Sequence, residues 1–253
     1  MQKEIVIDNL RVVICENRRE LGETAAADAA EYLRTLAKER EEINTIFAAA
    51  PSQNEFLAAL AASENIPWQK VRAFHMDEYI GLAPDAPQRF ARYLKEHIFS
   101  LVPFMEVNYL ICEKEHAIED YAAKLCQYPA DACFMGVGEN GHIAFNDPAV
   151  ADLFDPCVAK PVLLDDKCRM QQVHDGCFDR FEAVPEQAVT LTVPTLLRSK
   201  RLFCMVPGKT KAEAVRSMLY GPVDMSCPAS ALRLHKNAAL YLDADSAAYL
   251  ECL

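Results

Sequence analysis

Asp131-Ala-Cys-Phe-Met-Gly-Val-Gly-Glu-Asn-Gly-His-Ile-Ala-Phe-Asn-Asp-Pro148 runs from an apolar segment into a turn punctuated by three glycines, then presents a histidine among amides and acids. Its first half, Ala132–Val137, reads as a short buried strand. Gly136, Gly138 and Gly141 allow positive φ or a close backbone approach to a ligand. Histidine exchanges protons near neutral pH more readily than any other side chain. A strand end that carries His142 next to Asp147 is therefore a place for proton-transfer chemistry.

Working outward, apolar strand-like runs alternate with amphipathic stretches along the whole chain. The expected strands are Leu10–Cys15, Ile43–Ala50, Val71–Met76, Tyr109–Cys112, Ala132–Val137, Ala188–Val193, Leu202–Val206 and Ala238–Leu242. The expected helices are Glu23–Glu39, Ser52–Ala62, Gln88–Phe99, Ala117–Gln127, Lys209–Leu219 and Ser246–Cys252. Short, continuously apolar strands separated by helices indicate parallel pairing with both sheet faces covered. The expected fold is α/β: a Rossmann-like, doubly wound, mostly parallel sheet with helices on both faces. Ligands in such sheets bind beyond the carboxyl ends of the strands. No linker rich in Gly or Ser divides the chain, so residues 1–253 read as one domain. The stretch Ala149–Val184 has weak periodicity and is long for a connection, which marks it as a lid.

Composition narrows the function classes. Of 253 residues, half are hydrophobic, which excludes a disordered chain. A formal charge of −11 argues against nucleic acid as a partner. It leaves room for a small phosphorylated substrate, which responds to local charge. No run reaches the roughly 18 apolar residues that span a bilayer, so no membrane partner is expected. The N-terminal residues lack the apolar core of a signal peptide. The ten cysteines show no CxxC and no zinc spacing, and several sit in apolar runs, consistent with free thiols and a cytoplasmic location.

Four stretches could carry chemistry. Gly136-Val-Gly-Glu-Asn-Gly141 matches GxGxxG, but Phe145-Asn-Asp-Pro148 blocks the helix that a dinucleotide site requires. Phe74-His-Met-Asp-Glu-Tyr79 puts Asp77 and Glu78 just past a strand end; the alternative is a plain acidic helix start. Ser52 and Glu55 spell a capping box after Ile43–Ala50, and the same turn offers backbone N–H groups to a phosphate. Pro207-Gly-Lys-Thr-Lys211 lacks the first glycine of a P-loop but leaves two lysines at a strand end, suited to an anion; the alternative is a plain solvated helix start. Around His142 the spacing matches no standard metal motif such as HExxH, so no metal is expected.

Together these stretches resemble the glucosamine-6-phosphate isomerase/6-phosphogluconolactonase family, in particular its glucosamine-6-phosphate deaminases. Phe74–Leu82 and Gly136–Pro148 are similar to the two central motifs, with further similarity in Ala188–Leu197, Gly208–Lys211 and Pro228–His235. The resemblance implies conversion of glucosamine 6-phosphate, or a related amino sugar phosphate, and water to fructose 6-phosphate and ammonia, without organic cofactor or metal. It implies Asp77 as the base moving a proton between C2 and C1, His142 as the ring-opening acid–base, and Asp147 as the group orienting it. Ser52, Gln53 and Gly138 fall in the substrate loops, and Lys211 matches a phosphate-binding lysine. Arg169 or His174 would close over the phosphate from the lid. A homo-oligomer is among the arrangements the resemblance allows.

The departures are specific. Asn140 stands where these deaminases carry an aspartate, and an amide cannot stabilise an imidazolium by charge. Asp147 is one methylene shorter than the family's glutamate. Ala50 and Pro51 replace a Gly-Gly pair, and Pro51 removes one N–H donor. No allosteric amino-sugar site is recognisable between Ala149 and Lys167. The rival readings are a 6-phosphogluconolactonase, which needs His142 but no C2 base, and a catalytically weakened sugar-phosphate sensor.

Overall fold

Seven parallel strands and one antiparallel edge strand make the central sheet of the computed structural model, which describes residues 3–112 and 114–250. In chain order the strands are β1 (Lys3–Ile7), β2 (Leu10–Ile14), β3 (Ile43–Phe47), β4 (Val71–His75), β5 (Asp77–Tyr79), β6 (Glu106–Asn108), β7 (Ala132–Met135), β8 (Ala159–Leu163), β9 (Gln187–Leu191), β10 (Arg201–Val206) and β11 (Ala238–Leu242). The α-helices are α1 (Arg18–Glu39), α2 (Asn54–Ala62), α3 (Phe90–Leu94), α4 (Ala117–Gln127), α5 (Asp166–His174), α6 (Val193–Leu197) and α7 (Ala212–Tyr220). The large sheet has the order β1-β2-β11-β10-β7-β3-β4-β6, and β5-β9-β8 form a second, antiparallel sheet.

Period-two alternation sends each central strand into both cores. Ala132 and Phe134 of β7 enter one core and Cys133 and Met135 the other; Phe203 and Leu202 of β10 divide likewise. On one face Phe47, Phe56 and Phe203 surround Phe134, with ring centroids 4.9 to 5.4 Å from it. Such pairs add roughly 0.5–1.5 kcal/mol each beyond their burial. Helix α1 covers this face with Ala25, Ala26, Ala29 and Ala30, whose small side chains let it lie close to the sheet. It starts where the Asn17 side chain accepts the Glu20 N–H at 3.0 Å.

The chain runs outward from β3 to β4 and β6, then returns to place β7 on the other side of β3. Loops leaving the carboxyl ends of β3 and β7 therefore diverge, which opens a crevice between them. The small sheet closes over this end, because β5 begins one residue after β4 and Leu191 donates to the Met76 carbonyl at 2.8 Å.

Several sequence expectations are corrected. The run Ala188–Val193 lies in β9 of the small antiparallel sheet only as far as Leu191, and not in the parallel one, because its partners are β5 and β8; Val193 already opens α6. The supposedly irregular lid holds β8 and α5. The strand expected at Tyr109–Cys112 lies earlier, at Glu106–Asn108, where Arg72 of β4 pairs with Glu106. Ser246–Cys252 forms turns as far as Leu250, and its last two residues lie outside the described ones. The capping box of Ser52 and Glu55 is not made: Glu55 is drawn to Arg18 at 2.7 Å, and α2 starts without a side-chain cap. Among the described residues no helix is long and apolar enough to cross a membrane, and the nine described cysteines are free.

Candidate active site

The crevice is lined by Ala48–Ala50, Ser52 and Gln53 after β3, by Met76 and Asp77 after β4, and by Gly136–Gly138 and His142 after β7. Phe90, Phe145, Gln171 and Gln172 complete it, around about 490 Å³ of space that includes the open mouth.

Asp77 is buried, and its carboxylate has no hydrogen-bond partner among the described residues. Burial, then the adjacent Glu78 charge, holds its carboxyl well above the usual carboxylate range. The pleat turns Glu78 the other way, where it accepts N–H groups from Tyr79, Phe90 and Ala91 at 2.9 to 3.1 Å. The acidic pair thus lies on a strand, and Glu78 caps the start of α3 from a distance in sequence.

His142 sits in a tight loop. Gly138 donates to the His142 carbonyl at 2.9 Å, and Gly141, at φ +84°, donates to the Gly138 carbonyl at 3.0 Å. A Cβ on Gly138 would lie 2.2–2.4 Å from the imidazole, so only glycine fits beneath the ring. The Asn140 side-chain oxygen accepts the His142 N–H at 3.0 Å. Asp147 reaches the ring despite its short side chain: Oδ1 lies 3.0 Å from Nδ1. The contact is short but off the line of a ring N–H, so it is a close electrostatic pair that a small rotation turns into a hydrogen bond. Burial pushes the Asp147 carboxyl up, but His142, Asn140 and the Asp165 N–H more than offset it and hold it below its ordinary value.

The anion-binding candidates fall in different places. Ser52 Oγ accepts from Gln53 Nε2 at 3.1 Å at the crevice wall, and the Gln53 Oε1 is buried without a partner. Lys211, at the turn after β10, is buried with no hydrogen bond on its ammonium. Burial lowers its pKa, against the raising effect of Asp175 and Glu139. Arg169 stacks on Phe181, 4.1 Å from the ring centroid, and donates to the Val184 carbonyl at 2.9 Å, away from the crevice. His174 is half-exposed and pairs with Glu139 at 3.2 Å on the rim.

Sequence reading missed two residues of α5 that do face the crevice. Gln171 accepts the Glu139 N–H at 2.7 Å, and Gln172 accepts the Tyr79 hydroxyl at 2.8 Å. Tandem glutamines carry no charge pattern, and only their position about two helical turns beyond Asp165 distinguishes them. His142, Asp147 and Cys168 bring an imidazole, a carboxylate and a thiol within 4.8 Å of one another, a donor set able to meet a metal ion. Burial, then the charges of Asp147 and Asp165, keeps the Cys168 thiol well above its ordinary pKa, so it stands as a neutral neighbour and a weak ligand.

Residues 16–241 match the family described as glucosamine-6-phosphate isomerases/6-phosphogluconolactonase. A glucosamine-6-phosphate deaminase of Listeria innocua is 32% identical over 212 residues, covering 83% of this chain and 88% of that protein. A solved monomeric glucosamine-6-phosphate deaminase of the NagB superfamily superposes with a TM-score of 0.85 at 26% identity, over 94% of this chain and 99% of that one. The 6-phosphogluconolactonase of Trypanosoma brucei shares the fold at 16% identity, with a TM-score of 0.79 over 98% of this chain and all of that one.

Proposed function

The chain belongs to the glucosamine-6-phosphate isomerase/6-phosphogluconolactonase family, and from that membership we propose that it converts glucosamine 6-phosphate and water to fructose 6-phosphate and ammonia. The observation that carries the choice within the family is Asp77: a buried carboxylate without a hydrogen-bond partner, lining the same crevice as His142. Hydrolysis of a lactone needs one group to activate water. Moving a proton between C2 and C1 needs a second, and Asp77 suits it.

In this reading His142 carries the proton from the anomeric hydroxyl to the ring oxygen, which opens the sugar. Asp147 stands against the ring for that step, and Asn140 holds Asp147 and the His142 backbone in place. Asp77 then removes the C2 proton and returns it at C1, taking the aldose amine to the ketose level. Water adds at C2 and ammonia leaves. Burial that lifts the Asp77 carboxyl makes it a stronger base once ionised, matched to work nearer neutral pH than an exposed aspartate. Ser52, Gln53 and the Gly138 loop, with the buried Lys211 ammonium, are assigned to the phosphate and hydroxyl groups of the substrate. His174 and Arg169 are left with rim and lid-packing roles. Free cysteines support a cytoplasmic setting.

Ammonia and fructose 6-phosphate are to be measured with glucosamine 6-phosphate for the wild type and Asp77→Asn. Turnover that disappears in the variant supports the reading. Hydrolysis of 6-phosphogluconolactone by a wild type that releases no ammonia replaces it with the lactonase.

A further inference from the structure

The side-chain amide of Asn140 stands between two carboxylates. Its Nδ2 donates one hydrogen to Asp147 Oδ1 at 2.9 Å and the other to Asp165 Oδ2 at 2.8 Å. Its oxygen accepts the backbone N–H of His142 at 3.0 Å. This fixes the amide: exchanging O and N would point an oxygen at two carboxylates and an NH2 group at an N–H.

Asp165 is equally committed. Its Oδ1 accepts the Cys168 N–H at 2.7 Å as the N-cap of α5, and its own N–H donates to Asp147 Oδ2 at 3.0 Å. Asp147 is therefore held on one oxygen by Asn140 and on the other by the backbone of Asp165. Neither carboxylate rotates without breaking a bond to a different part of the chain. The order of contact is Asp165, Asn140, Asp147, His142, and it begins at the head of the lid helix that brings Gln171 and Gln172 to the crevice.

We propose that Asp165 is a positioning residue for His142, acting through Asn140 and Asp147, and that it adds an acidic group beyond the neutral Asn140 amide. The proposal rests on His142 being the acid–base group of the reading above. The acidic group lies one residue further out, on the lid. Seating the lid helix and aligning the imidazole are then one event, since Asp165 takes part in both. An aspartate at 140 would be wrong for this network: it would face two carboxylates with no hydrogen between them.

The test is a charge exchange, reading kcat and KM for ammonia release in Asn140→Asp, Asp165→Asn and the double variant. Asn140→Asp gathers three acids and is expected to lower kcat about 100-fold, the scale of a misoriented acid–base group. Asp165→Asn keeps a good N-cap residue, yet its single oxygen cannot serve both Cys168 and Asn140. We expect kcat down about tenfold, with KM within about threefold. The double variant returns to two acids and one amide, and its kcat should exceed that of Asn140→Asp by about tenfold. An unchanged kcat in Asp165→Asn, or a double variant no better than the product of the singles, overturns the proposal. If the wild type releases no ammonia, the reaction assignment falls and the network is read by NMR on histidine-labelled protein. The His142 ring signals should then move in Asp165→Asn and return toward wild type in the double variant; ring signals indifferent to Asp165 overturn the proposal.

Discussion

Asp77 and Glu78 are consecutive on β5, yet one carboxylate faces the crevice without a hydrogen bond while the other accepts three backbone N–H groups. Glu78 anchors the strand to the start of α3, where Arg89 also approaches it at 3.7 Å. That anchor fixes Asp77 in place and adds a like charge beside it. A buried carboxylate held this way beside a like charge weakens the fold and, in the proposed reading, is kept reactive as a base.

Asp77→Asn should lower kcat by about 10²- to 10⁴-fold, the usual contribution of a general base, and raise the unfolding temperature by a few degrees. The sign follows from the raised carboxyl. In the unfolded chain Asp77 ionises near the ordinary value of 3.8, and in the folded chain higher. The folded state therefore binds more protons in that window, and its stability falls as pH rises through it. Thermal unfolding from about pH 4 to 8 should show that loss in the wild type and less of it in the variant. Activity should rise with pH over a limb above the usual carboxylate range. A variant that is inactive and also less stable at neutral pH contradicts this account.

Gly138→Ala acts by volume alone. The new methyl group would overlap the His142 ring at 2.2–2.4 Å, and the ring is the softer partner. Displacing an acid–base group by about 1 Å costs on the order of 100-fold in rate. Steady-state kinetics, with circular dichroism to confirm the fold, should show kcat reduced on that scale. Activity within about threefold of wild type would mean that the ring has room and its position is not critical.

The parallel sheet, the strand end near Asp77 and the loop that carries His142 were legible because each reports a local rule. Continuous apolar strands mean two covered faces, and glycines after a strand mean a close turn. The second sheet was not legible, since β5 has three residues and β9 reads like any buried strand until its partners are known. Asp165 was visible only as one polar residue in a weakly periodic lid. Its contact with Asn140 spans 25 residues, and no local pattern marks it. Arg169 shows the converse: a cation near the site in sequence was expected at the phosphate, while Phe181 and the Val184 carbonyl hold it in the lid's own packing.

Lys211→Met separates binding from chemistry. The wild-type ammonium is buried with no hydrogen bond, so a methionine of similar length should leave the unfolding temperature unchanged or raise it. A charged hydrogen bond to substrate phosphate contributes about 1.5–3 kcal/mol, or roughly a tenfold to hundredfold rise in KM on its removal. The kcat should change far less, and inorganic phosphate should inhibit the variant more weakly. Loss of kcat at unchanged KM would move Lys211 from the phosphate to the reacting end of the crevice.

Tyr79 and Gln172 allow the lid's contribution to be divided. Burial holds the Tyr79 hydroxyl far above its ordinary pKa, so it remains a neutral donor to the Gln172 carbonyl at 2.8 Å, leaving the amide nitrogen available at the crevice. Tyr79→Phe removes that bond but leaves Gln172 beside the open crevice, where water can satisfy it, so the loss should be about 1 kcal/mol. Gln172→Leu instead leaves a hydroxyl buried without an acceptor, at about 1–3 kcal/mol. Stability should therefore fall more for Gln172→Leu. KM should rise in both, and more in Gln172→Leu, because Tyr79→Phe only loosens an amide that Gln172→Leu deletes. Equal KM values across wild type and both variants, with the stability order intact, would assign the pair to lid packing and remove Gln172 from substrate recognition.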